Sequence, residues 1–228
     1  MSKIISINNL SYAVPYGQTI LKDINLDIPA GEFLGLLGHN GSGKTTLLDV
    51  IMGNKKASIG SVSVLNEDPH SSRRLNKQHI VYLSQDVSIK GDISIGDFLK
   101  FHSAFYPDYS KEDEKHLVNV FEIHKDLKVG ALSTGQQKKV QIIAGLSAKP
   151  KLVIIDEITA VLDPETRDIF FKELQSVKER YASSIILATN IAEDLIDRAD
   201  RILFIEHKRG MLHRPEDIMK LFNIGLVA

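Results

Sequence analysis

The sequence predicts an α/β fold in which helices cover a parallel sheet. Two observations carry that expectation. The runs LVIIDE and SIILAT are apolar almost throughout, as strands buried on both faces are. Between them lies the amphipathic stretch PETRDIFFKELQSVKER, so strand and helix alternate along the chain. With 228 residues, 43% of them hydrophobic, the chain can bury a real core, as one domain or as two closely joined subdomains.

The elements follow in order. IISINNLSYAV and ILKDINLDI alternate in the manner of strands, with Pro29, Ala30 and Gly31 as a turn after the second. EFLGLLG reads as a buried strand, Thr45 to Met52 as a short apolar helix stopped by Gly53, and SVSVL as another alternating strand. From Ile93 to about Ala148 the chain reads mainly as helix, in IGDFLKFHSAF, KEDEKHLVNVFEI and TGQQKKVQIIAGLSA, and looks like a helical insertion. Phe98, Phe101 and Phe105 recur there at roughly helical spacing and are expected in its core. After SIILAT a hairpin, RILFIEHKRGMLH, leads to a last helix. Repeats and low-complexity linkers are not evident, which implies continuous structure from end to end.

Composition excludes several function classes. A net charge of −1 leaves no surplus of lysine and arginine to follow a phosphate backbone, so nucleic acid is not the expected partner. There is no cysteine, hence no disulfide or thiolate metal site, which fits a reducing compartment. MSKIISINNLSY lacks the features of a secretory signal, and no apolar run approaches the ~20 residues that span a bilayer. Residence in the cytoplasm is the expectation, and any membrane crossing would belong to another chain. The histidines show no ligand spacing.

Between the buried strand and the first helix, LGLLGHNGSGKTTLL carries G-x-x-x-x-G-K-[ST] as Gly38, Gly43, Lys44 and Thr45. Glycines let a backbone curl until its N–H groups face inward, and a helix start adds its positive end, so Gly38, His39, Asn40, Gly41, Ser42, Gly43 and Thr46 would cradle phosphate. Lys44 would reach the terminal phosphates and the Thr45 hydroxyl would ligand magnesium. His39 reads as a loop residue rather than a base. The implied ligand is a nucleoside triphosphate.

Cleavage of that triphosphate needs a metal anchor and a base for water, and LVIIDE supplies both. Asp156 emerges at the carboxyl end of a buried strand, where ligands bind in open α/β sheets, and would hold magnesium directly or through water. Glu157 could polarise the nucleophilic water. LSTGQQKKV, from Leu132 to Val140, places serine, threonine and glycine ahead of an amphipathic helix. Alone this is a capped helix; beside a phosphate loop it offers a second anion-binding helix start. A face-to-face dimer would give it work, each chain's second site closing over the other's nucleotide.

Taken together, GHNGSGKT, LSTGQ and LVIIDE resemble the Walker A, signature and Walker B motifs of the ATP-binding subunits of ABC transporters, in that family's order and over essentially the whole chain. The resemblance implies the ABC-ATPase fold: a RecA-like parallel-sheet core, an N-terminal antiparallel β subdomain and a helical subdomain. It places one ATP-binding domain over 1–228, with core parts at about 1–90 and 150–228 and the helical subdomain at about 91–149. It implies hydrolysis of ATP with Mg2+, a homodimer or heterodimer of such subunits, and a separate transmembrane subunit that the chain would serve from the cytoplasmic face of the membrane. Gln85 in YLSQD looks like the glutamine that contacts magnesium and relays movement to the membrane subunits. Ser133 and Gly135 would face the partner's nucleotide. Asp163 in VLDP looks like an aspartate of the dimer seam and also suits an N-cap before Pro164. Tyr16 would stack on adenine, with Tyr12 as its rival.

Some positions depart from the family's wording. Thr134, Ile158 and Val161 stand where glycine, proline and a small residue are usual. Asn190 ends ILATN where the family places a histidine that touches the γ-phosphate and helps position water. Asparagine can still donate an amide hydrogen bond but cannot become cationic, so either adequate replacement or slow hydrolysis follows. FYPDYSKEDE and the lysines after the signature look more like exporter-type subunits. Rival functions are a soluble ATPase acting on ribosomes or DNA, a regulatory ATP site with weak turnover, and an unrelated P-loop kinase, in which LSTGQ would have no work.

Overall fold

Alternation in the first thirty residues produces a sheet because it gives each strand one apolar face. The computed structural model of the chain describes residues 2–71, 77–89 and 91–217. It divides into two units, Met1–Leu75 with Ser184–Ala228, and Asn76–Ser183.

In the first unit β1 (Lys3–Ala13) pairs antiparallel with β2 (Thr19–Pro29) on one side and β4 (Ile59–Val64) on the other. The inward positions Ile5, Ile7, Leu10, Leu21, Ile24 and Ile28 are buried, and Ser6, Asn8, Lys22, Asn25 and Asp27 stand on the other face. A second sheet is built around β3 (Phe33–Leu37), flanked in parallel by β7 (Ser184–Thr189) and β8 (Arg201–Glu206). All five residues of β3 are buried, which is why FLGLL shows no alternation. β9 (Arg209–His213) returns antiparallel on β8 and completes the expected hairpin. After β3 the loop 38–43 leads into α1 (Lys44–Ile51), which packs against β2 and β4. Beyond a 3-10 turn at Pro215–Asp217, the last helix expected from the sequence lies outside the described residues.

The second unit holds a parallel pair, β5 (Ile80–Ser84) and β6 (Leu152–Asp156), in the register Ile80↔Leu152 to Ser84↔Asp156. Four helices accompany it: α2 (Ile95–Ser103), α3 (Lys111–Val120), α4 (Thr134–Leu146) and α5 (Pro164–Tyr181). α4 is the hub, touching α2, α3, α5 and β5, because its C-terminal two turns carry Val140, Ile142, Ile143 and Leu146, all fully buried. Asp113 of α3 accepts from Arg180 Nη1 at 2.8 Å and from the Tyr181 hydroxyl at 2.6 Å, tying α3 to α5. Burial pushes the Asp113 carboxyl up, but hydrogen bonds from Tyr181 and Arg180 outweigh it and hold the group below the ordinary carboxylate range.

One expectation is corrected. Phe101 and Phe105 are 64% and 53% exposed rather than in the core, their rings edge to face with centroids 5.0 Å apart. The helix buries Ile95 and Leu99. Phe98 and His102 come next around its circumference, Phe101 lies one step further out, and Phe105 stands in the turn that follows the helix.

Candidate active site

In the first unit the site is the loop between β3 and α1. Gly38 is obligatory: a Cβ there would meet Ser42 Oγ at 2.6 Å and the Ile205 carbonyl at 2.7 Å. Gly43, with φ 109°, occupies the left-handed region and packs on Leu21 and Ile20 of β2. The turn closes through Ser42 N–H donating to the His39 carbonyl at 3.1 Å. Lys44 is 4% exposed, and its Nζ donates to the carbonyls of Gly38 at 2.8 Å and His39 at 3.3 Å, which folds the ammonium back over the loop. His39, Asn40, Gly41 and Thr45 are exposed. α1 has no side-chain cap, so the N–H groups of its first turn point out of the helix toward this surface. The Ser42 hydroxyl oxygen is buried without a hydrogen-bond partner. A curled glycine backbone, a buried ammonium and an unsatisfied hydroxyl fit the phosphates of a nucleotide.

Asn190 follows β7 and reaches this loop, its Nδ2 donating to Asn40 Oδ1 at 3.5 Å, the outer limit of a hydrogen bond. The bend that presents it is set by Ile191 N–H donating to Thr189 Oγ1 at 3.0 Å. Tyr16, with φ 54°, is fully exposed on the turn between β1 and β2. Tyr12 is half-buried, and the Lys55 ammonium lies 6.0 Å from the centre of its ring. Tyr16 therefore offers the more accessible ring face.

In the second unit the register of β5 on β6 sets Gln85 beside Asp156 and Glu157. Gln85 N–H donates to the Asp156 carbonyl at 3.2 Å, and its Nε2 donates to Glu157 Oε2 at 3.4 Å. Asp156 is 5% exposed, and its Oδ2 accepts from the Tyr82 hydroxyl at 3.2 Å. Glu157 has φ 54°, a left-handed backbone that costs a non-glycine residue on the order of 1 kcal/mol. The chain turns sharply there into a 3-10 segment, Ile158–Val161. Sequence reasoning missed Tyr82; its alternation with Val81 and Leu83 in β5 was the available signal.

The signature residues begin α4. Ser133 is the N-cap of a complete capping box: its Oγ accepts from Gln136 N–H at 3.3 Å, and its own N–H donates to Gln136 Oε1 at 3.0 Å. Ser133 and Thr134 are exposed, and a Cβ on Gly135 would meet nothing within 4 Å. Asp163 caps α5, accepting from Thr166 N–H at 2.9 Å and from its hydroxyl at 2.7 Å. These bonds hold its carboxyl below the usual range.

A cavity of about 330 Å³ opens beside the loop after Gln85, lined by Val87, Ile89, Phe98, His102, Tyr106 and Gln141. His102 stacks on Tyr106 with centroids 4.7 Å apart, and burial pushes its imidazole down to about 4. Among the described residues no group of three or more His, Asp or Glu is placed to hold a metal ion. No described helix is long and apolar enough to cross a membrane.

Comparison with known proteins gives the family. Residues 21–160 match the family described as ABC transporter. The chain is 32% identical over 225 residues to the energy-coupling factor transporter ATP-binding protein EcfA1 of Leuconostoc mesenteroides, covering 93% of this chain and 80% of the relative. It is 29% identical to the Nod factor export ATP-binding protein I of Rhizobium leguminosarum, covering 90% and 67%. Among solved structures it resembles cbiO1 from Clostridium perfringens, part of the ABC transporter complex cbiONQ, with a TM-score of 0.81, 26% identity and coverage of 98% and 93%. An ATP-binding subunit of an ABC transporter shares the fold at a TM-score of 0.84 and 21% identity, covering 97% of this chain and 94% of that one.

Proposed function

The chain belongs to the ABC transporter family as an ATP-binding subunit that hydrolyses ATP, and we propose that it works as one of two like subunits, each presenting the start of α4 to the nucleotide of the other. The observation that carries this reading is the exposed start of α4, where Ser133 caps the helix and Gly135 faces open space. A second anion-binding helix start has no role toward a nucleotide held by one chain alone.

Within each subunit the residues divide the work. Gly38, Gly41, Gly43 and the first amides of α1 hold the phosphates, Lys44 moves its ammonium from the loop carbonyls to the terminal phosphate oxygens, and Tyr16 stacks on the base. Thr45, Gln85 and Asp156 are the residues suited to serve magnesium, which when bound would neutralise charge on the phosphates. Glu157, oriented by Gln85, polarises the attacking water. Asn190 donates an amide hydrogen where a cationic group would do more, so turnover is slow. Phosphate loss removes the acceptors that join the subunits, and they part.

The kinship with subunits of transporters supports a membrane partner. The cavity beside the loop after Gln85, lined by Val87, Ile89 and Phe98, and the exposed rings of Phe101 and Phe105 suit the docking of an apolar segment of a separate transmembrane subunit, which would hold this chain peripherally at the membrane.

The test is light scattering and phosphate release on the purified chain. Glu157→Gln with ATP and magnesium is expected to double the mass, and Asn190→His to raise kcat about tenfold. If Glu157→Gln stays monomeric at saturating ATP, the dimer reading is wrong.

A further inference from the structure

A lysine taken out of water is costly unless its N–H groups find acceptors. Lys138, in the second turn of α4, is 2% exposed. Its Nζ donates to the main-chain carbonyl of Ser84 at 2.9 Å and to that of Val87. Those carbonyls stand on either side of Gln85 and Asp86. Nearly one turn further along the helix, Gln141 Nε2 donates to the same Val87 carbonyl. The segment from Val87 to Ile89 has no regular structure of its own, and these bonds tie it to α4. Burial pushes the Lys138 ammonium below its ordinary value, and the charge of Asp86 pulls it back. An apolar side chain of similar length would fill the space without desolvating a charge. It would also leave the Ser84 carbonyl without this donor and the Val87 carbonyl with one fewer.

We infer that Lys138 is a positioning residue: from α4 it fixes the backbone around Gln85 and so sets how the Gln85 amide meets the Glu157 carboxylate. The inference rests on the ATPase reading above. Its consequence is mechanical, because the helix that presents Ser133 and Gly135 is the helix that holds Gln85. A subunit closing on that helix start would be felt at Glu157 of the same chain.

The experiment compares wild type with Lys138→Met, Gln85→Ala, the double variant, and Glu157→Gln. Lys138→Met is expected to keep KM for ATP and its thermal midpoint while kcat falls about tenfold, since small displacements of positioning groups are costly. The double variant should be no slower than Gln85→Ala, because the lysine acts through the glutamine. In nucleotide-free protein, amide hydrogen exchange over 85–89 should accelerate about tenfold in Lys138→Met, with 38–45 unchanged. Unchanged kcat and exchange in folded Lys138→Met, or losses that multiply in the double variant, overturn the inference. Should Lys138→Met fail to fold, Gln141→Leu removes one of the donors to Val87 and should move both readouts the same way, about threefold; no movement again overturns it. Wild type that releases no phosphate, or Glu157→Gln that matches it, would instead count against the function reading, and the exchange data would still decide the role of Lys138.

Discussion

Helices α1 and α4 both begin beside a glycine, yet they treat their first amides in opposite ways. α4 satisfies itself through the reciprocal bonds of Ser133 and Gln136. α1 starts at Gly43, which has no side chain to offer, and the neighbouring Ser42 hydroxyl oxygen is buried without a partner. The other helices follow α4: Ser94, Ser110 and Asp163 cap α2, α3 and α5. A helix start without a protein cap leaves its N–H groups for an anion. On the proposed reading, α1 captures phosphate by itself. α4 retains a hydroxyl and the amides of Thr134 and Gly135, enough to add to a triphosphate held elsewhere.

The largest test of that difference is Lys44→Ala. It removes the charge beside the uncapped start and should weaken ATP binding about hundredfold in a fluorescence titration of the monomer, as the loss of charge-assisted hydrogen bonds would. A loss under threefold would mean the α1 start is not the capture site. Next comes Ser133→Ala. Breaking the capping box should cost about 1 kcal/mol in urea denaturation, leave monomer affinity for ATP unchanged, and weaken the ATP-driven dimer of Glu157→Gln; an affinity loss like that of Lys44→Ala would erase the distinction. The smallest effect is expected at Asp163, which is only a cap in the monomer. Its carboxyl is held down by Thr166, so the folded state keeps it ionised where the unfolded chain is already protonated. Its contribution is present above the ordinary aspartate value of about 4 and is lost as pH falls through the lower folded value. Asp163→Asn should therefore melt like wild type at pH 7 and lose less stability below about pH 4, read by circular dichroism.

The contrast also explains what could be read from the sequence. The phosphate loop was legible because Gly38, Gly43, Lys44 and Thr45 stand at fixed spacing in one contiguous stretch between a strand and a helix, although the steric limits on Gly38 and Gly43 come partly from Ile205 and from β2. β3, β6 and β7 were legible because burial on both faces writes an unbroken apolar run. The contact of Gln85 with Glu157 spans 72 positions and depends on the register of β5 on β6; the end of the apolar run LVIID singled out Glu157, and only the family resemblance singled out Gln85. Phe101 and Phe105 were misplaced because helical spacing tells which residues share a face and not which way the face points. Lys138 was missed for the opposite reason: a lysine reads as solvated, although its spacing from Gln141 and Gly145 puts it on the packed side of α4.

The left-handed backbone at Glu157 sets activity against durability. Every non-glycine residue at that bend is under strain, and a glycine would relax it. Glu157→Gly should thus yield a protein more resistant to heat than the native enzyme and unable to turn over, so selection for thermal robustness alone would erode hydrolysis at this bend.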